Sequence, residues 1–413
     1  MKYQFKTGID VNEYDAFVRN FPSTSFMQTP AWSLVKTAWE HDYVGLYEKN
    51  KLICGAMVLK RNLFLGKKLF YIPRGFVVNY NDENAVKEFV NNLKAYALKN
   101  GAIDIKIDPF ICFGEDNIQN IRKDKGIKIR KLFTSDTDKI TKELEDLGFR
   151  HGGYKKEVNA YIQPRYTMAI SLKDSSGKPY EKEELRRTFP KNTRNYIGTY
   201  HDERGVSFSY STNKDDIKDL ISVLKYTEER QHIALRSEKY FKKLMESFPD
   251  NAVLFFARVN IDKYIKFLKE DMIEHENKKE FCEKQIKEAE EVKKKYGNNP
   301  LAGATIVMMP TCKSGTKVAS FLYAGTNTEI LPSLKITNGL MFYRLCYCLD
   351  KGCDYCDLGG VDGSLEDHLS TFKSKFNPNV LELVGEYDLV ISRFWYKLFN
   401  LAMKTLKFIR SKR

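Results

Sequence analysis

The sequence predicts a mixed α/β fold: two units of similar size, each a central sheet covered by helices, with an antiparallel helical hairpin inserted in the second. Three observations point there. Helix-like and strand-like runs follow one another in mixed order, which suits a covered sheet better than a barrel. The order seen before about residue 155 returns after it, although no sequence repeat is visible. One long stretch, nearly free of Gly and Pro, carries an apolar stripe through dense Lys and Glu. The expected division is 1–155 and 156–390, with the hairpin at 260–298 and a basic amphipathic helix at 391–413.

In the first unit, AWSLVKTAWE follows the turn-rich FPSTS and sets Trp32, Val35 and Trp39 on one face of a helix. Strand-like runs come next at 43–47, 52–59 and 68–72, then a helix over 85–99. The strand 102–107 closes the set at Asp108-Pro109. The second unit reads as strand 166–172, helix 181–200, strand 206–210, helices 214–229 and 238–247, and strand 252–259. After the hairpin come strands 302–309 and 318–323, helix 337–352, and strands 355–358 and 380–384. In the hairpin, Ile261, Tyr264, Ile265, Leu268 and Met272, then Phe281, Ile286, Ala289 and Val292, form the stripe, which Glu276-Asn277-Lys278-Lys279 interrupts. That pattern predicts a short coiled-coil arm, either a solvent-facing element or a contact for RNA.

Composition sets the class. A chain of 413 residues that is 42% apolar, 30% charged and 13% aromatic is an ordinary globular protein and argues against disorder. The opening MKYQFKTGIDVNEYDAF lacks the apolar core and small-residue cleavage site of a secretory signal, and no run approaches the ~18 apolar residues of a membrane span. The expected location is therefore the cytoplasm. Among eight cysteines, Cys346, Cys348, Cys353 and Cys356 crowd together, but only the last two have C-x-x-C spacing. Buried reduced thiols are the expectation, and no metal site is assigned.

The net charge of +14 is uneven. From Ile391 onward there are seven basic residues (Arg393, Lys397, Lys404, Lys407, Arg410, Lys412, Arg413) and no acidic ones. Phe394, Trp395, Leu398, Leu401, Ala402 and Leu406 interleave with them. Such a helix can lie on an anionic membrane surface or dock on the body with a solvated basic face, and both readings stand. The remaining surplus suits a polyanionic partner.

The densest signal lies in the last third. An apolar run leads into Gly359-Gly360, where adjacent glycines allow close backbone approach or positive φ and often mark a ligand-facing turn. Phe372-Lys373-Ser374-Lys375-Phe376 follows; read as a strand, it puts both Phe on one face with cations beside a cleft. This block resembles the C-terminal signature of the Fem family, the bacterial aminoacyltransferases that build peptidoglycan cross-bridges from aminoacyl-tRNA. Other segments resemble the family in the same order, over some nine-tenths of the chain. Gln28, Trp32 and Lys36 fit its Q-x-x-x-W-x-x-x-K opening, with Lys36 one helical turn beyond Trp32. Tyr71-Ile72-Pro73-Arg74-Gly75 with Asn79-Tyr80 is similar to its Y-x-P-R-G-P segment, although Phe76 replaces the second proline. Lys106-Ile107-Asp108-Pro109, Ile162–Thr167, Lys191–Ile197, Arg236-x-x-x-Tyr240 and Phe321–Thr326 resemble further family segments.

The resemblance implies two acetyltransferase-like (GNAT-type) units and no cofactor. It implies aminoacyl-tRNA as donor and a peptidoglycan precursor, lipid-linked or nucleotide-linked, as acceptor, with glycine, alanine or serine transferred. A homo-oligomer or a related paralogue is a further implied partner. Lys36 and Arg236 are the implied phosphate-binding cations, because Lys and Arg pair with phosphate oxygens. Tyr240 and Tyr323 would hydrogen-bond phosphate or peptide, or else serve as interface aromatics. Lys373 is the candidate for stabilising developing negative charge or the leaving group. Asp108 would orient or deprotonate the attacking ammonium, or simply form the turn before Pro109. No Gly-x-Ser-x-Gly elbow or Cys-His pairing suggests a covalent intermediate. Two other classes stay open: an acyl-CoA-dependent N-acyltransferase, although its Arg/Gln-x-x-Gly-x-Gly/Ala phosphate loop is not found, and a non-catalytic RNA-binding protein.

Overall fold

The computed structural model describes residues 2–22, 24–123, 134–198 and 202–411. The early strands are β1 (Tyr3–Thr7), β2 (Glu40–Glu48), β3 (Lys51–Asn62), β4 (Lys68–Ile72), β5 (Ala102–Ile107), β6 (Cys112–Asn117) and β7 (Phe149–His151). The later ones are β8 (Tyr166–Ser171), β9 (Val206–Ser211), β10 (Ala252–Val259), β11 (Leu301–Met308), β12 (Val318–Thr326), β13 (Tyr355–Val361), β14 (Asn379–Leu383) and β15 (Tyr387–Val390). Helices α1 (Val11–Asn20), α2 (Pro30–Val35), α3 (Glu83–Lys99), α4 (Ile118–Lys123) and α5 (Thr134–Asp146) accompany the first sheet and its exit. Next come α6 (Lys182–Arg187), α7 (Lys191–Gly198), α8 (Ile217–Gln231), α9 (Glu238–Ser247), α10 (Ile261–Glu274) and α11 (Lys279–Tyr296). The chain continues with α12 (Ile336–Asp350), α13 (His368–Ser374) and α14 (Arg393–Ser411).

Two mixed sheets result. The seven-stranded sheet runs β1-β2-β3-β4-β5-β15-β7, and the eight-stranded one β6-β14-β8-β13-β12-β11-β10-β9. Among the described residues each sheet has a single parallel pair near its middle, β4 with β5 and β12 with β13. The expected mixed α/β class is the observed one. The sheets also exchange strands: β6, from the first third of the chain, pairs with β14, whereas β15 pairs with β5 and β7.

Three apolar cores follow. One lies under the first sheet against α3, with Phe70, Phe89, Ile105 and Tyr387 fully buried. Another fills the second sheet and α12. The third joins the halves: Tyr14, Trp32, Met57 and Tyr71 pack in one cluster with Leu220, Phe241, Leu254 and Ile306. A cleft at that junction therefore rests on shared packing, not on a flexible hinge.

The hairpin forms as α10 and α11, joined by the turn Glu276–Lys278. Tyr264 Oη donates to Gln285 at 3.3 Å and Lys293 pairs with Asp262 at 2.6 Å, so the helices run antiparallel. Cys282 rather than Phe281 enters the seam; Phe281 is 55% exposed.

Three local expectations are corrected. The helix expected over 181–200 is broken by Pro190, which lacks an N–H and collides with the preceding turn, into α6 and α7; Tyr200 lies outside the described residues. The helix expected to include Trp39 ends at Val35. The Phe-Lys-x-Lys-Phe segment is not a strand but the last turn of α13, capped by Asp367, whose carboxylate accepts from the N–H groups of Leu369 and Ser370. Phe372 and Phe376 still share a face, now by four-residue helical spacing, with ring centroids 5.8 Å apart. The four neighbouring cysteines are free thiols: Cys348, Cys353 and Cys356 are buried and Cys346 half-buried.

Candidate active site

A cleft of about 850 Å³ opens where the two sheets meet. Its first wall is built by Gln28. This buried amide accepts from Met57 N on β3 (2.9 Å) and from Tyr14 Oη (2.8 Å), and donates to Pro73 O at 2.7 Å. One side chain thus ties the segment before α2 to β3 and to the turn after β4. Helix α2 starts at Pro30, whose fixed φ suits a first helical position, and ends at Val35 with Lys36 as its C-cap. Lys36 Nζ lies 4.4 Å from the centroid of the Trp32 ring, as the one-turn spacing predicts. Burial, and then the nearby Arg236 cation, lower its pKa to about 8.

Beside it, Arg74 lines the cleft from a turn where its φ is +61°. Its amide N–H donates to Asp108 Oδ1 at 2.5 Å, and Tyr71 Oη donates to Asp108 Oδ2 at 2.7 Å. Asp108 is thereby placed behind the Arg74 turn and does not line the cleft. Burial raises its carboxyl to about 6, against the opposing pull of Arg74 and its two donors. Phe76, which stands where the family has proline, is buried against Phe89 (centroids 5.1 Å), and its N–H donates to Tyr80 Oη at 3.0 Å. A proline would have no hydrogen to give there.

The second wall comes from α9 and β12. Arg236 precedes α9, its guanidinium carbon 5.5 Å from the Tyr240 ring centroid. Tyr240 and Tyr323 cross edge to face at 6.4 Å. Burial, and then Tyr323, push the Tyr240 hydroxyl well above its usual range. Lys36, Arg236, Tyr240 and Tyr323 all line this one cleft.

Its floor is β13. The register with β8 slips between Asp357 and Gly360, and Gly359 takes φ +82°. That bulge turns the carbonyls of Gly359 and Gly360 onto Lys373 Nζ, at 3.0 and 2.9 Å. A Cβ on Gly360 would sit 2.2 Å from Pro164 Cγ, so no larger residue fits. Asp357 accepts from Thr167 Oγ1 and from Gly359 N–H, bracing the bulge. Lys373 itself is 6% exposed and lies beneath the floor instead of lining it. Burial lowers its pKa to about 8; Asp357 and Asp367 oppose the shift and Arg344 adds to it. Arg344, also buried, stacks on Phe321 of the cleft at 4.5 Å and donates to Thr305 Oγ1 at 3.0 Å. Among the described residues no cluster of His, Cys, Asp and Glu could hold a metal, and no helix is long and apolar enough to cross a membrane.

A family model described as the FemAB family matches residues 9–280 and 269–404. The chain belongs to the FemAB family. By that membership it is a transferase. It is 25% identical over 434 residues to a lipid II:glycine glycyltransferase of Staphylococcus haemolyticus, covering 96% of this chain and 95% of the relative. With the aminoacyltransferase FemA of Staphylococcus aureus it shares 24% over 439 residues, 97% and 98% of the two chains. The crystal structure of FemX superposes with a TM-score of 0.73 at 22% identity, over 96% of this chain and 99% of that one. A tandem GNAT protein of clavulanic acid biosynthesis superposes at 0.50 and 9% identity, over 94% and 99%, which bears on the fold alone.

In this FemAB chain Arg74, Asp357, Thr167 and Arg344 also belong to the site, and the sequence does not single them out. Arg74 sat inside a quoted motif, but its left-handed backbone, which turns it to the cleft, has no sequence signal in a residue other than Gly or Asn. Arg344 hid in the apolar run LMFYRLCYC, where a lone cation among hydrophobic residues was the available clue.

Proposed function

We propose that this protein transfers an amino acid, glycine ahead of alanine or serine, from aminoacyl-tRNA to an amine on the stem peptide of a lipid-linked peptidoglycan precursor. The observation that carries the reading is the meeting of Lys36 and Arg74 from one half with Arg236, Tyr240 and Tyr323 from the other in a single cleft. Three cations on facing walls of one cleft suit a diphosphate, and Arg adds bidentate geometry. Glycine and the lipid-linked acceptor are favoured because relatives matched over nearly the whole chain are named for that reaction.

The chemistry is aminolysis of an ester. The amine lone pair attacks the carbonyl carbon and the new C–N bond forms. The tetrahedral oxyanion then collapses, the C–O bond to the terminal ribose breaks, and the proton lost by the amine balances the one gained by the ribose oxygen. Because the ester is activated already, positioning and charge stabilisation supply most of the acceleration. Two of the three Lys373 N–H groups hold the floor carbonyls, so its cation is proposed to act from beneath the floor, through its field on the developing oxyanion or leaving oxygen and by fixing the Gly359-Gly360 turn. Asp108 is proposed to act by orientation, since its carboxylate holds the Tyr71 hydroxyl and the Arg74 amide.

The test is to incubate the protein with separately labelled glycyl-, alanyl- and seryl-tRNA and purified lipid II. Label from glycyl-tRNA is expected in the lipid product. Absence of product from every aminoacyl-tRNA, with acylation from acyl-CoA instead, would overturn the proposal.

A further inference from the structure

Away from the cleft, the tip of the β3–β4 hairpin meets the first turn of α14. The tip residues Phe64 and Leu65 are 41% and 78% exposed. Leu65 holds a left-handed φ of +53°, which a branched aliphatic residue adopts only at a cost, and it presents its side chain to solvent there. Phe64 packs on Trp395 with centroids 5.7 Å apart, and Trp395 on Phe394 at 5.3 Å. Along α14, Phe394, Leu398 and Leu401 recur at i, i+4 and i+7 and are 68%, 40% and 63% exposed. The opposite face docks: Tyr396 Oη donates to Asp388 at 2.6 Å. An apolar stripe on the last helix is thus continuous with a hairpin tip from a strand pair more than 300 residues earlier.

Charge surrounds this patch with one sign. Lys67 lies over the Trp395 ring at 5.4 Å, Arg393 and Lys397 are exposed on α14, and no acidic residue occurs from Ile391 onward. The carboxylates beneath α14 and beside the hairpin add no exposed, unpaired negative charge: Asp388 is engaged by Tyr396 and Lys106, Glu40 by Lys68 and Asn62, and Asp104 is buried, which holds its carboxyl well above the usual range. Exposed aromatic and aliphatic side chains rimmed by unopposed cations match an anionic lipid surface, which takes apolar groups to the depth of its headgroups. RNA would use the cations but leave the Leu65, Leu398 and Leu401 side chains without a partner.

We propose that Phe64, Leu65, Phe394, Trp395, Leu398 and Leu401 form one composite surface that docks this protein on an anionic bilayer. The proposal takes its purpose from the lipid-linked acceptor proposed above, but vesicle binding can be read without any transfer reaction. The probe is the full chain mixed with phosphatidylglycerol-containing or pure phosphatidylcholine vesicles, read by sedimentation and by tryptophan emission. Blue-shifted emission with the anionic vesicles is expected, absent in Trp395→Phe, whose binding persists. Leu65→Glu and Phe394→Glu should each lower partitioning about tenfold, while tRNA binding and transfer to a water-soluble stem peptide stay as in the parent. Partitioning unchanged in both Glu variants overturns the composite surface, as does equal loss of tRNA binding, which would make the patch an RNA contact. Vesicle binding without transfer to any acceptor would leave this surface standing and remove the proposed reaction.

Discussion

Lys36 stands at the end of a six-residue helix on one wall of the cleft, while Lys373 lies in the last turn of α13 beneath the floor. Burial brings both to a pKa of about 8. Their surroundings differ. Lys36 has a cation, Arg236, as its main electrostatic neighbour and an aromatic face below it. It is poised for an anion that would relieve repulsion. Lys373 instead has two backbone carbonyls as partners and Asp357 and Asp367 near enough to pull its pKa back up. Its charge is already held in place, which is what a preorganised electrostatic group requires. Under the proposed reaction Lys36 belongs to binding and Lys373 to the reaction step, and kinetics can separate the two.

The largest effect is expected from Lys373→Met. It removes the charge while keeping much of the stem, and transfer should fall by about 10²–10³-fold in kcat, the range for loss of one preorganised donor. Acceptor affinity should hold. The variant also strands the Gly359 and Gly360 carbonyls, so circular dichroism and a melting curve must accompany the assay. Unimpaired transfer would end the catalytic assignment of Lys373.

Arg236→Met and Lys36→Met belong to the other side of the comparison. Each should raise KM for the acceptor by about 10- to 100-fold, with kcat changed much less, because hydrogen bonds to charged groups contribute on that scale. Arg236→Lys should recover only part of the loss, since a point charge cannot replace a planar fork. A fall in kcat equal to that of Lys373→Met, at unchanged KM, would erase the distinction between the two lysines.

How far the sequence alone leads differs between these regions in the same way. Gln28, Trp32 and Lys36 are legible because their roles are local: helical spacing places the lysine on the tryptophan, and a proline starts the helix. Lys373 stands out by its motif, but the motif's local structure is ambiguous in sequence. Phe372 and Phe376 are four apart, a separation that satisfies alternation in a strand and one turn of a helix equally. The deciding feature was Asp367, a cap that binds the first-turn amides. Strands β6 and β15 were not visible at all. CFGEDN has no alternating apolar pattern, and YDLV is only four residues long; each is a strand because the opposite sheet offers it a partner far away in sequence. Arg74 owes its position to a φ of +61°, which side-chain identity does not announce.

Asp108 offers a test of the first wall through stability. Burial raises its pKa from an ordinary carboxyl value to about 6, so the folded protein holds this proton more tightly than the unfolded chain. The associated stabilisation is fully present below about pH 4, declines as pH rises through about 6, and is absent at neutrality. In Asp108→Asn that decline should vanish. The difference in unfolding free energy between parent and variant should move by about 2 kcal/mol in the variant's favour between pH 4 and 7. Urea titrations at each pH measure it, and parallel curves would mean that folding leaves the Asp108 pKa unshifted.

The smallest effect is a pH dependence confined to acceptor binding. Below about pH 8 Lys36 is charged and can pair with an anion; above it the free protein increasingly carries a neutral amine. A bound diphosphate favours the charged form, so binding takes up a proton above that pH, and affinity should drop by up to about tenfold per unit. Between pH 6 and 7.5 it should be flat. Lys36→Arg keeps the cation at every accessible pH and should extend the flat region to pH 9, at some loss of absolute affinity because the guanidinium is broader than the ammonium it replaces. Equilibrium binding measured without donor tRNA isolates this term from Lys373, whose own titration near the same pH acts on turnover. If the parent and Lys36→Arg decline together above pH 8, the titrating group on the binding side is not Lys36, and the division between the two walls has to be redrawn around another residue of the cleft.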